Sequence, residues 1–204
     1  MTSIRSFIKR ILETQKSITI VSGLPRSGTS MMMSALEAGG MTLVIDGIRN
    51  PDDDNPKGYY EYERVKKLPQ GEADWLKSYQ GKGIKIISAL LTHLPEDYRY
   101  QVIFMERDID EILASQQRML ERSGKEEENS VSEAVMRQSY IDHLDDVKSW
   151  LSEKEWIQTI YVSYNKILQN SENEMEKVAA FLNLELDVQR MVEIVDPGLY
   201  RQRK

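Results

Sequence analysis

Apolar residues fall along this chain in short blocks separated by polar, turn-rich stretches, and the blocks follow two different periods. Ile18 to Val21 is a continuous, largely β-branched run ending at a glycine loop, the mark of a strand buried on both faces. Similar runs at Thr42 to Ile45, Ile84 to Ser88, Gln101 to Met105 and Ile157 to Val162 predict further strands. Helix-like stretches lie between them, from Met31 to Ala38 and most clearly from Val131 to Leu151. Ile4, Phe7, Ile8, Ile11 and Leu12 recur at helical spacing and predict an amphipathic helix over residues 1–16. Strands alternating with helices predict an α/β fold of three layers, a mostly parallel sheet covered on both faces.

Composition narrows this picture. The 204 residues fit a single domain, 1–204, with a full-sized core. A net charge of -6 argues against a nucleic-acid partner, so any anion site must be a local concentration of Arg and Lys. No cysteine is present, so there is no disulfide framework. No apolar stretch reaches the length of a membrane span and the first residues lack a secretory h-region, so the expected location is cytoplasmic. The N-terminal helix is expected to cover a sheet edge or face; its alternative is a homodimer or membrane-surface contact. Gly124 to Asn129 reads as a polar loop, and residues 195–204 as a basic tail.

Candidate chemistry centres on Gly23-Leu24-Pro25-Arg26-Ser27-Gly28-Thr29-Ser30, between the first strand and the first helix. In a strand, glycine loop and helix, the backbone N–H groups of the loop and of the helix N-terminus converge on one point, where phosphate or sulfate binds. The loop departs from the pattern G-x-x-x-x-G-K-[ST] of nucleoside triphosphatases, because Thr29 stands where the lysine would be. Its cation is Arg26, earlier in the turn. Such a loop suits an anionic nucleotide and is poorly equipped for ATP or GTP.

The loop resembles that of the sulfotransferase superfamily, G-x-P-[RK]-S-G-T-[ST], and matches it at Gly23, Pro25, Arg26, Ser27, Gly28, Thr29 and Ser30. The resemblance implies a P-loop nucleotide-binding fold whose loop surrounds the 5′-phosphosulfate of 3′-phosphoadenosine 5′-phosphosulfate (PAPS), with adenosine 3′,5′-bisphosphate (PAP) as product and no metal. A second element agrees with it: Arg107 at a strand end and Ser115 eight residues later resemble the family's 3′-phosphate grip. Locally, Asp108 can act as N-cap with Glu111 closing a capping box, which puts Ser115 some 10 Å along the helix at ~1.5 Å per residue. A shared phosphate then requires the helix to lie back beside the strand end. A third likeness, Tyr164 followed by Ala179 to Leu184, implies that Tyr164 contacts the adenine, although Asn165 replaces the acidic residue usual after that tyrosine. The chain looks most like the small bacterial-type members. In longer relatives a basic C-terminal loop folds onto the 3′-phosphate, which makes Arg201 and Arg203 candidates.

Sulfuryl transfer to a hydroxyl or amine of a small-molecule or glycan acceptor needs a base for the acceptor proton and cations for the sulfonate and leaving phosphate. Glu61, in the turn-rich segment Asn50 to Glu63, is the first candidate base. Glu63 shares its face under strand alternation, and His93 in Thr92-His93-Leu94-Pro95 is a third choice. Lys85 is the candidate for the reacting sulfonate or leaving oxygen. Asp52, Asp53 and Asp54 read as solvated, and Tyr59, Tyr60, Tyr62 and Trp75 as either an acceptor wall or core. Two alternatives remain: a small-molecule kinase with Asp46 on Mg²⁺, and a nucleotide-binding module whose acceptor site has decayed.

Overall fold

The computed structural model describes residues 16–48, 58–123 and 132–196. The expected N-terminal helix, Asp52 to Asp54, the Gly124 to Asn129 loop, Arg201 and Arg203 lie outside those residues.

Strands β1 (Ile18–Gly23), β2 (Gly83–Lys85), β3 (Tyr100–Glu106) and β4 (Ile157–Ser163) form one sheet in the order β2-β1-β3-β4. Every pairing is parallel, with Val21 opposite Lys85, Gly23 opposite Met105 and Met105 opposite Val162. The helices are α1 (Thr29–Ala38), α2 (Ile109–Ser123), α3 (Glu133–Glu153), α4 (Tyr164–Gln169), α5 (Ser171–Leu182) and α6 (Val188–Glu193). Among the described residues the 3-10 segments Glu63–Gln70, Asp74–Tyr79 and Ser88–His93 stand in place of α-helices around β2.

The period-two alternation of the central strands sorts the core into two layers. Ile18, Ile20, Val102 and Phe104 face one way, toward Val147 and Leu151 of α3 and the buried side chains of the 3-10 segments. Val21, Ile103 and Met105 face the other, against Met32, Met33 and Leu36 of α1 and Met175, Val178 and Met191 of α5 and α6. This is the expected α/β arrangement, a parallel sheet flanked by helices.

Two predicted strands differ from the structure. Thr42 to Ile45 makes one parallel bridge, Leu43 to Gly83, through Val44 N–H donating to the Gly83 carbonyl (2.8 Å) and Gly83 N–H to that of Thr42 (2.9 Å). Asp46 and Gly47, with φ of 67°, then turn the chain away before a second residue can pair. The run from Ile84 yields a strand only to Lys85, because Ser88 already opens a 3-10 turn.

Tyr100, the first residue of β3, is fully buried, and its hydroxyl donates to the Pro95 carbonyl at 3.1 Å. Burial is the main cause that pushes its pKa well above 10.0, with Tyr98 and Asp97 adding to it. The unfolded chain therefore gives up this proton first as pH rises, and native stability is full below pH 10.0 and declines above it. Tyr100→Phe should flatten that alkaline limb in denaturant titrations between pH 8 and pH 11, about two units below and one above the ordinary tyrosine value. An unchanged slope would show that other groups set it.

Candidate active site

The strand order reverses between β1 and β3, since the chain leaves β1 for β2 on one side and returns with β3 on the other. In open parallel sheets the crevice beyond the carboxyl ends at such a reversal is where ligands sit. Residues 24–28 and 107–108 follow those two ends, so Arg26 and Arg107 meet there.

The glycine loop turns tightly. Ser27 N–H donates to the Leu24 carbonyl at 3.2 Å, and Arg26 and Gly28 both adopt positive φ, 71° and 98°. Gly28 is the N-cap of α1 and provides no side-chain cap. The first-turn N–H groups of Thr29, Ser30 and Met31 therefore have no carbonyl within the helix to serve. Pro25 is exposed at the turn, Thr29 and Ser30 are half-buried, and Ser27 is buried. The hydroxyls of Ser22 and Ser27 have no hydrogen-bond partner among the described residues.

Arg26 links the loop to α2, where its Nε donates to Ser115 Oγ at 2.9 Å. The helix thus lies back toward the loop and sets Ser115 on Arg26. Arg107 Nη1 donates to the Arg26 carbonyl (3.1 Å), its Nε to Glu111 Oε2 (2.9 Å), and its guanidinium lies over the Tyr164 ring at 4.6 Å. Asp108 does act as a cap, accepting from Asp110 N–H at 2.9 Å. Glu111 turns to the Arg107 cation, a stronger partner than a terminal N–H. Tyr164 begins α4, buried against Gly28 and Arg107. Burial raises its pKa, against the lowering effect of the Arg107 charge.

A second group assembles at the end of β2. Lys85 is buried, its ammonium donating to the Tyr59 carbonyl and standing 3.6 Å from Glu61 Oε1. Ser30 Oγ donates to the same carbonyl at 3.4 Å, which ties this group to the first turn of α1. The two candidate glutamates separate cleanly. Glu63 opens a 3-10 segment and pairs with Lys66 at 2.6 Å, whereas Glu61 faces Lys85. Strand alternation fails here because Tyr60 has φ of 52° and breaks the extended run. His93 is exposed at the end of the Ser88–His93 segment.

Asp46 spends its carboxylate on backbone, accepting from Ile48 N–H (3.1 Å) and Glu63 N–H (2.5 Å). No group of three His, Cys, Asp or Glu that could hold a metal occurs among the described residues. Tyr59 and Trp75 are buried, and Tyr62 stacks edge-on with Trp75 and Tyr79 at 5.4 and 5.6 Å between ring centroids. Trp75 belongs to the hydrophobic core, and Tyr62 and Tyr79 pack against it.

Sequence comparison matches residues 16–200 to the sulfotransferase domain family. The chain belongs to that family. It is a transferase enzyme, and the reaction class is sulfuryl transfer. No curated protein sequence matches the chain. Among solved structures it is similar to an unliganded sugar kinase from Janibacter sp. HTCC2649, at 11% identity over 90% of this chain and 98% of that one, with a TM-score of 0.44. Among the described residues of this sulfotransferase, no helix is long and apolar enough to cross a membrane.

Sequence reasoning missed one polar pair beside these groups. Buried Ser88, just beyond β2, lies 2.8 Å from His143 Nε2 on α3. An open groove of about 530 Å³ runs along that face of α3 past Val135, Gln138, Asp142 and His143. The signal available was slight: His143 is one of only two histidines, in mid-helix and in no motif.

Proposed function

We propose that this sulfotransferase moves the sulfuryl group of PAPS to a hydroxyl or amine of a small-molecule or glycan acceptor, by in-line transfer within a single domain. The observation that carries the reading is the junction of Arg26 and Arg107 across the strand-order reversal, with Ser115 on Arg26. It supports a site for two separate anionic groups, one on each side of the reversal. The Ser27 hydroxyl, without a partner among the described residues, supports the same reading, since an anion seated in the loop offers it an acceptor.

PAPS when bound supplies an activated sulfuryl group on its 5′-phosphate. Arg26, the Pro25 to Ser30 backbone and Lys85 hold the negative charge at the carboxyl ends of β1 and β2, where fixed cations need no reorganisation as charge develops. Arg107 and Ser115 hold the 3′-phosphate, the guanidinium offering a planar fork. Tyr164, packed between Gly28 and Arg107, borders the adenine. Glu61 takes the acceptor proton on a carboxylate oxygen. Its position supports this role over that of Glu63, because the 3.6 Å contact with Lys85 brings it beside the reacting group. The acceptor is held beside Glu61, and the chain acts in the cytoplasm.

Calorimetry with PAP, ADP and ATP, each with and without Mg²⁺, tests the reading. PAP should bind without metal and at least about tenfold more tightly than ADP, the value of one well-made charged contact to the 3′-phosphate. Preference for Mg²⁺-ATP would overturn it in favour of phosphoryl transfer.

A further inference from the structure

Arg107 is held by more partners than contact with an anion demands. Its Nε donates to Glu111 (2.9 Å), its Nη1 to the Arg26 carbonyl (3.1 Å), and its face lies on the Tyr164 ring. The Glu111 side chain is only 5% exposed, and its other oxygen accepts from Asn165 Nδ2 at 3.0 Å. A buried carboxylate next to a phosphate site is electrostatically adverse, because it repels the anion that the site is built to hold. Its presence calls for a geometric reason.

The chain of contacts provides one. A long arginine side chain carries much rotamer entropy, and a binding site that leaves it unfixed loses that entropy on binding each ligand. Glu111 fixes the rotation of the guanidinium about Nε, the Tyr164 ring fixes its plane, and the Arg26 carbonyl fixes its reach. Asn165 then fixes Glu111. A carboxylate has only lone pairs, so the atom of Asn165 that faces it must be the amide nitrogen. An acidic residue at position 165 would set carboxylate against carboxylate at hydrogen-bond distance, with Arg107 as the shared cation.

We propose that Glu111 and Asn165 are positioning residues for Arg107, and that their contact gives a nucleotide bearing a 3′-phosphate its advantage over one that lacks it. The inference rests on the nucleotide reading above and adds to it the residues that set discrimination. Asn165 is the specific choice that a neighbouring Glu111 imposes.

The test compares PAP with adenosine 5′-phosphate, which lacks the 3′-phosphate, by calorimetry on the full chain. Asn165→Asp should reduce the preference for PAP by about tenfold, the scale of one buried charged hydrogen bond, and leave the affinity for adenosine 5′-phosphate unchanged. Asn165→Leu, which removes the donor at similar volume, should lower the preference in the same direction and serves if the aspartate variant does not fold. The exchange Glu111→Gln with Asn165→Asp restores one amide and one carboxylate in reversed order and should recover most of the preference; a double-mutant cycle reads this coupling directly. A merely structural role would weaken both nucleotides together. That outcome, or no recovery in the exchanged pair, would overturn the proposal. Wild-type protein that binds both nucleotides equally would instead remove the nucleotide reading itself, and the positioning role with it.

Discussion

Lys85→Met is expected to lower kcat by about a hundred- to a thousandfold, the range for removing one pre-oriented charge-stabilising donor from an active site. The lysine sits at the carboxyl end of β2, opposite Val21 of β1, and only 8% of it is exposed. Burying an ammonium is costly unless its donors are matched, and here the Tyr59 carbonyl and the Glu61 carboxylate match it. The cation is therefore fixed before substrate arrives. Methionine keeps the length and volume of the stem, so packing is conserved and the charge is what is lost. PAP affinity should change by no more than about fivefold, since removing an interaction that strengthens in the transition state lowers kcat without a matching loss of ground-state binding. Release of PAP from PAPS with water as the acceptor measures the step without knowledge of the natural acceptor. Glu61→Gln combined with Lys85→Met should cost about as much as the larger single change, because residues that act as a unit are not additive. An equal fall in PAP affinity would assign Lys85 to ground-state binding, and an unchanged kcat would remove it from the reaction.

The parts of this molecule legible in the sequence are those whose determinants are local. Ile18 to Val21 and Val102 to Met105 read as strands because β-branched and apolar residues run unbroken between turn formers, and both lie in the centre of the sheet. The glycine loop was legible for the same reason, since glycines and a proline at fixed offsets dictate the turn. What escaped depends on partners distant in sequence. Glu111 has the spacing of a capping box, but its pairing with the Arg107 guanidinium depends on a buried cation that spacing does not reveal. Glu61 and Glu63 could not be told apart because alternation assumes a regular strand, and the positive φ of Tyr60 removes that regularity. Thr42 to Ile45 has strand composition, yet the turn at Asp46 and Gly47 limits it to one bridge. The Arg26 to Ser115 contact spans 89 positions and nothing in the sequence anticipated it, since the family resemblance pairs Ser115 with Arg107. The fold class thus follows from periodicity, whereas the site follows from which strand ends the topology sets side by side.

The glycine at the head of α1 carries the second large effect, on stability and nucleotide binding together. Gly28 has φ of 98°, where an L side chain costs roughly 1–2 kcal/mol. A Cβ there would also stand 2.5 Å from Cδ2 of Tyr164. That ring cannot yield cheaply, because it is buried and lies under the Arg107 guanidinium. Pushing it aside displaces the arginine, which in turn bears on the Arg26 carbonyl and on Glu111. Gly28→Ala should therefore destabilise the protein by roughly 2–5 kcal/mol, the sum of the backbone term and overpacking, and lower Tm by on the order of 10 °C. PAP binding should weaken by at least about tenfold, since loss of the loop and of the Arg107 orientation coincide. Gly40 is the internal standard: its φ is 99°, almost the same, but a Cβ there meets nothing within 4 Å. Gly40→Ala thus measures the backbone cost alone, roughly 1–2 kcal/mol, with nucleotide binding untouched. The difference between the two variants is the energy of the Tyr164 contact. Equal destabilisation by both, with PAP affinity preserved in Gly28→Ala, would mean that the loop tolerates a methyl group and that Tyr164 does not transmit its position to Arg107.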